Sequence, residues 1–298
     1  MLLIETRLSR HLRHRFPPLI ADLCVFTLKQ AWACLFGASL LIAMILSRMI
    51  WTNGFPIARY DSLMAFAILL QATFLKFGLE SWAEVRVIAL FHITGTIMEI
   101  FKIHAGSWTY PDPGLFKVFD VPLYSGFMYA AVGSYVARVI RLFEMDFTPF
   151  PPWPLHFAFA GMIYLNFFSH HFILDLRYVL FAATIVIYAR TRIWFRIGQN
   201  WHWMPLPLAA FFSSFFLWLA ENIGTMTGTW LYTGQNPFDV VSFAKMGLWY
   251  LLLYVAFATV TLVVPITQGR AAPTRTQRPQ TPKSEPPRRS PASQVSAP

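Results

Sequence analysis

Charge is what this chain has least of. Charged residues make up 13% of its 298 positions, about half the share of a typical soluble domain. A water-facing surface needs more, which argues against an ordinary soluble enzyme. Cys24 and Cys34 are the only cysteines, too few for a disulfide framework. Also absent are a P-loop, a Rossmann glycine pattern, a G-x-S-x-G elbow, a kinase signature and the H-E-x-x-H and D-D-x-x-D metal runs. What is present is apolar: 56% hydrophobic residues, 17% of all residues aromatic. Such a composition excludes disorder for most of the length and points to a polytopic membrane protein.

A helix needs roughly 20 mostly apolar residues to cross the hydrocarbon core. Eight such segments stand near 30–51, 61–79, 85–104, 121–142, 153–169, 173–190, 205–222 and 240–266. The expected fold is therefore all-α, with about eight transmembrane helices. The net charge of +10 is concentrated at the two ends of the chain. Loops on the N-terminal side also carry Arg86, Arg138, Arg141, Arg190, Arg192 and Arg196; the opposite loops carry only Arg59, Lys102, Lys117 and Arg177. By the positive-inside rule both termini are cytoplasmic, which an even number of spans satisfies. The expected location is the bacterial inner membrane, with membrane lipids as partners and no nucleic acid. The first apolar run reads as a retained anchor.

Four regions follow. Residues 1–29 form a basic cytoplasmic segment, and 30–147 and 148–267 are two four-helix units. Residues 268–298, rich in Pro, Ser, Thr and Arg, form a basic tail expected to be disordered.

The two units carry an internal repeat. Residues 99–110 read EIFKIHAGSWTY and residues 221–232 read ENIGTMTGTWLY. Both follow E-x6-G-[ST]-W-x-Y, and each is followed by Phe-Asp-Val, at Phe119-Asp120-Val121 and Phe238-Asp239-Val240. Four spans separate the copies, so both face the same side. The units are then parallel repeats about an axis along the membrane normal. Gly106 and Gly228 are placed to end helices in a left-handed conformation. Trp108, Tyr110, Trp230 and Tyr232 are then expected at headgroup depth, as aromatic belt or as the lining of a site mouth. Glu99 and Glu221 stand two turns earlier, about 10 Å into the membrane. A carboxyl there must face the bundle interior, be paired or be protonated. These two glutamates are the candidate catalytic residues.

Other polar residues extend the candidate site. His92 lies two turns before Glu99, His104 follows it, and Asn222 adjoins Glu221. Asp120 and Asp239 are expected at helix N-termini, where a carboxylate is favoured. Lys102 is expected to snorkel outward, and Lys245 is an intramembrane charge that could pair with either glutamate. His170, His171, Asp175 and Arg177 cluster at the same outward side. Adjacent histidines on a helix point apart, so no metal site is expected and no cofactor is indicated.

The run HITGTIMEIFKIHAGSWTYPDPGLFKVFDVPLYSGFMY, residues 92–129, resembles a YoaT-like family of bacterial integral membrane proteins of unknown function. That resemblance covers about residues 25–266 and implies no activity. The order Glu, Gly, aromatic, Tyr, then Val121-Pro122-Leu123 is also similar to membrane-embedded carotenoid hydratases and small bacterial lycopene cyclases. This likeness implies that Glu99 and Glu221 act as acids. Two departures stand against it: Leu123-Tyr124 replace the cyclases' acidic pair, and the second copy has Val240-Val241 in place of the proline.

Three functions remain open. The first is an enzyme acting on an isoprenoid or other apolar lipid, with one glutamate as acid, the other as base, and aromatic faces stabilising a carbocation. The second is a proton-coupled transporter, although its usual broken helices are not evident. The third is a structural or assembly protein.

Overall fold

Prolines, one capping box and left-handed glycines cut the apolar chain into helices. The computed structural model describes residues 12, 14–51, 55–198, 200–236 and 238–268. The basic tail lies outside the described residues, apart from residue 268. Among the described residues the long helices are α1 (Pro18–Ala33), α2 (Leu35–Ile50), α3 (Arg59–Lys76), α4 (Trp82–His104), α5 (Tyr124–Leu142), α6 (Trp153–Ser169), α7 (Arg177–Tyr188), α8 (Leu206–Met226) and α9 (Phe243–Thr261). Each expected apolar segment overlaps one of α2–α9. Proline in the first turn opens α1, α6 and α8, where no backbone donor is lost. Ser81 and Glu84 close a capping box at the start of α4.

Three helices, α4, α8 and α9, are long and apolar enough to cross a membrane by length and composition. A fourth span results if α1 and α2, which meet at a bend of 65°, count as one. The bend falls at Cys34, inside what the sequence presents as one straight segment. Helix α1 starts at Pro18, within the expected N-terminal segment. It packs against a hairpin through Lys29 Nζ, which donates to the Arg196 carbonyl at 3.1 Å, and through Asp22, which accepts from Asn200 at 3.0 Å.

The fold is mostly helical but not wholly so. Strands β1 (Trp108–Thr109) and β7 (Leu231–Tyr232) pair, as do β2 (Lys117–Val118) and β3 (Val121–Pro122). Strands β4 (Asp146–Thr148), β5 (Arg192–Ile197) and β6 (Asn200–Pro205) form a three-stranded antiparallel sheet. Ile193, Phe195 and Ile197 alternate inward along β5, the period of two that a half-buried strand requires. A search tuned to long apolar runs passes over that period.

Helices α2–α9 run alternately between two ends of a bundle. At one end, Arg59 at the start of α3 bonds Ser47 near the end of α2 and Thr229 just after α8. Lys102 near the end of α4 reaches the Phe167 carbonyl near the end of α6. At the other end, Arg138 near the end of α5 pairs with Glu80, just before α4. His156 at the start of α6 bonds Tyr188 at the end of α7, and Thr267 after α9 bridges to Asp146 of β4. We call these the motif end and the sheet end.

Helix α5 packs on α2, α3 and α4; α9 packs on α6, α7 and α8; α5 and α9 pack on each other. Glycines bring α4 and α5 close. A Cβ on Gly95 would meet the Tyr129 ring at 2.7 Å, and one on Gly133 would meet Phe91 at 2.5 Å. Several charges that read as loop markers are instead packed. Arg138 is fully buried against Glu80, while Arg59 is held by Asp112 at 3.0 Å. Lys102, expected to snorkel, is 3% exposed and donates to Phe167 and to His171 Nε2 at 2.9 Å. The Phe167 carbonyl and the His171 imidazole supply acceptors that a lipid-facing position lacks.

Candidate functional site

The two motif copies fold alike at the helix ends. Gly106 (φ +70°) and Gly228 (φ +61°) follow α4 and α8 in the left-handed conformation. In each copy the glycine N–H bonds the carbonyl three residues back, Ile103 or Thr225. The next N–H bonds the carbonyl five back, Lys102 or Gly224. These paired bonds satisfy carbonyls that the helix end leaves free. The chain then doubles back over its own helix.

That reversal aims the motif aromatics at the motif glutamates. Trp108 Nε1 donates to Glu99 Oε2 at 2.7 Å and Tyr110 Oη donates to the same oxygen at 3.0 Å. Tyr129 of α5 donates to Glu99 Oε1 at 2.6 Å. In the second copy Tyr232 donates to Glu221 Oε1, and Trp249 of α9 donates to Oε2. Trp108 and Tyr110 are buried at 9% and 7% exposure. They are therefore ligands of the carboxyl and not a lipid-facing belt, because the indole N–H and phenol O–H find acceptors only inward. Trp230 makes no such bond. Its ring lies on Gly224, where a Cβ would meet it at 1.9 Å.

Strands β1 and β7 join the copies to each other. Trp108 stands opposite Tyr232 and Thr109 opposite Leu231. Thr109 and Leu231 hold the same position in the repeat, so the antiparallel ladder is centred on equivalent residues. The Trp108 and Tyr232 rings meet edge to face at 5.8 Å. Thr233 adds a bond to the Gly106 carbonyl at 2.5 Å.

One cavity of about 940 Å³ lies beneath this layer, between α2, α5, α8 and α9. Glu99, Glu221, Trp108, Tyr110, Trp230 and Tyr232 all line it. Lys245 lines it too, with Nζ 3.8 Å from the centroid of the Tyr232 ring, a cation–π contact in place of an ion pair. Among the described residues no ion pair within 4.0 Å reaches either glutamate. Away from these groups the walls are mostly apolar, with Thr27, Gln30, Tyr135 and Ser213 as polar exceptions, down to Phe195 and Met204 at the sheet end.

The remaining candidates lie elsewhere. His92 packs between Phe127, at 4.6 Å between ring centres, and Gly126. His104 is exposed and bonds the Ile100 carbonyl. Asn222 is structural, its side chain bridging Trp218 and Val241 at 2.7 and 2.9 Å. Asp120, with φ +65°, sits in the tight turn between β2 and β3, and Asp239 accepts from the Asn236 N–H. Neither starts a helix, because α5 and α9 begin only at Tyr124 and Phe243.

Outside the cavity, Asp175 accepts from Asn166, at 3.1 Å, and from the Arg177 backbone and side chain. Burial works to raise its carboxyl, but these bonds outweigh that and hold it below the ordinary value of 3.8. Among the described residues no group of three His, Cys, Asp or Glu side chains is arranged to hold a metal.

Tyr129 and Trp249 are the residues that sequence reading missed. They follow their glutamates by 30 and 28 positions, on the helix after each motif. Extending the repeat comparison past Phe-Asp-Val brings two aromatic donors within one position of register, Tyr129 following Asp120 by 9 residues and Trp249 following Asp239 by 10.

No solved structure matches the chain. It is 39% identical over 245 residues to "Uncharacterized protein YoaT" of Bacillus subtilis (strain 168), an alignment covering 81% of this chain and 91% of that protein. Residues 22–257 match the family described as "Protein of unknown function (DUF817)". With that match and that relative, the chain belongs to this YoaT-like family.

Proposed function

We propose that this protein is a membrane-embedded enzyme that acts on an isoprenoid or other apolar lipid by acid catalysis. The observation that carries the reading is two glutamates, one from each motif copy, lining one large apolar cavity among aromatic rings. Glu221 has two donors and Glu99 three. Glu221 is thus the proton donor, and the more firmly held Glu99 receives the proton lost at the other end of the reaction. Protonating an alkene carbon and deprotonating the resulting cation elsewhere is an isomerisation or cyclisation, and it needs no co-reactant. Ring faces of Trp108, Tyr129 and Trp249 would stabilise the cation between the two steps.

In the same proposal α2–α9 all cross a bacterial inner membrane, with both termini cytoplasmic and the motif end outward. Residues 30–147 and 148–267 form parallel four-helix repeats. The ladder centred on Thr109 and Leu231 supports this, as does the matching packing of α5 and α9 on their three preceding helices.

The test is a comparison of lipid extracts from cells lacking the gene and cells expressing the wild type, Glu99→Gln or Glu221→Gln. Glutamine keeps the size and an acceptor oxygen while removing the titrating proton. Each variant should insert and fold but produce the lipid profile of the deletion strain. If both restore the wild-type profile, the acids are architectural.

A further inference from the structure

The cavity has a mouth on the side of the bundle, between the α1–α2 bend and α8. Ala31 and Cys34 on one side, and Phe212 and Phe216 on the other, line the cavity while being exposed; the two phenylalanines are 53% and 66% exposed. A cavity wall that also faces outward marks an opening. In a membrane it opens onto lipid tails and not onto water. Phe212 lies nine positions before Glu221 on α8, so the carboxyls stand about 13 Å further towards the motif end.

The location of the mouth restricts what can enter. It lies nearer the sheet end, whereas the acids lie near the motif end. An amphiphile whose hydrated headgroup is anchored at the sheet-side interface would have to drag that group through the apolar core to reach them, at high cost. The polar end also has the wrong charge for a phosphate or carboxylate. Two glutamates face one lysine there, and Lys245 is already engaged over Tyr232. Hydroxyls and indole N–H groups complete that end. They suit a hydroxyl, a carbonyl or a double bond. The volume falls at the upper end of the 300–1,000 Å³ found for small-molecule sites, and the mostly apolar lining suits a long chain.

We infer that the cavity takes a long-chain lipid without a charged headgroup, which enters sideways from the bilayer between the α1–α2 bend and α8 and rests with its polar or unsaturated end at Glu99 and Glu221. This rests on the proposed membrane setting and site, but it is a statement about binding and not about turnover.

The experiment uses the full chain in phosphatidylcholine nanodiscs. The probes are a long-chain primary alcohol carrying a diazirine, and the phosphate monoester of the same alcohol. After photolysis, labelled peptides are mapped by mass spectrometry. The alcohol should label the inner face of α8 and the Tyr129 and Trp249 regions, and excess unlabelled alcohol should suppress this. The phosphate should label on the order of tenfold less, because like charges are brought together without compensation. Phe216→Ala widens the mouth and should speed labelling without changing its plateau. Ala210→Trp fills the cavity and should abolish labelling near Glu221. Labelling that does not saturate, equal labelling by the phosphate, or a Phe216→Ala rate unchanged from wild type would overturn the inference.

Both Glu→Gln variants should still be labelled. Saturable labelling with no lipid change in cells would sink the catalytic reading and leave this one standing. A lipid change in cells with no labelling would do the reverse.

Discussion

Replacing Gly224 by alanine sets two effects of known sign against each other. A helical glycine changed to alanine gains about 1 kcal/mol from backbone propensity. At Gly224 the new Cβ would lie 1.9, 2.4 and 2.4 Å from three carbons of the Trp230 ring, distances no packed atoms tolerate. The indole is rigid, so the whole ring must leave the face of α8. Overpacking of this kind costs about 1–3 kcal/mol, and the ring lies in a cluster with Trp108, Tyr110 and Tyr232, so the loss is not absorbed locally. With the cost therefore in the upper part of that range, about 2–3 kcal/mol, the net expectation is a destabilisation of about 1–2 kcal/mol, or roughly 2–8 °C in unfolding temperature at 2–4 °C per kcal/mol for a chain near this size. Gly161 on α6 has nothing within 4 Å of its virtual Cβ and supplies the control: Gly161→Ala should raise the unfolding temperature. In a Trp230→Ala background Gly224→Ala should also become stabilising, since the clash is gone. The assay is thermal unfolding of detergent-solubilised protein for the singles and the double. A Gly224→Ala single that stabilises as Gly161→Ala does would refute the claim that the glycine exists to seat Trp230.

Three further outcomes are expected. Arg138→Met leaves Glu80, itself fully buried, without its cation; breaking such a pair costs about 3–5 kcal/mol, whereas Arg141→Met, at a 47% exposed arginine, should cost far less in the same unfolding assay. Asp175 is held below its ordinary value, so its stabilisation is present above that value and is lost as the pH falls through the lower folded value. The unfolding-temperature gap between wild type and Asp175→Asn should therefore be constant near neutral pH and close below about pH 4; a gap that widens on acidification would contradict the assignment. Reporter fusions after Tyr110 and after Tyr232 should both read as external, because β1 pairs with β7 and places both points on one side.

The positions of the helices were legible because hydrophobic length survives without tertiary information. The segment read as 153–169 is α6 residue for residue, and α4 and α8 end where the motif glycines stand. The 65° bend at Cys34 was not legible, since neither proline nor glycine marks it. It follows from packing α1 against the β5–β6 hairpin through Asp22 and Lys29. In the site, the repeat exposed both glutamates, and spacing alone placed them two turns inside. It could not show that the chain turns back after Gly106 and Gly228. For that reason Trp108, Tyr110 and Tyr232 read as belt residues although each ends on or beside a carboxyl. His92 drew attention by chemistry and not by repetition, having no counterpart in the second copy; Asp120 does repeat, as Asp239, yet all three lie outside the cavity lining.

What the two copies do not share bears on function as much as what they share. A repeat kept only for architecture would satisfy its two glutamates alike. Here the tyrosine at the end of each motif reaches the carboxyl in both halves, and an aromatic of the following helix does so in both. The motif tryptophan departs. Trp108 bonds Glu99, but Trp230 is drawn onto Gly224, and the equivalent of Gly224 in the first copy is Lys102, with no bare backbone to receive a ring. Lys245 stands only in the second half. The local two-fold relation at Thr109 and Leu231 is therefore broken at the carboxyls: Glu99 is held from three directions, while Glu221 keeps fewer bonds and a cation nearby. Two like acids can share one proton, but unequal surroundings fix which of them holds it. Here the inequality comes from Gly224, whose bare backbone draws one indole away from its carboxyl, together with Lys245.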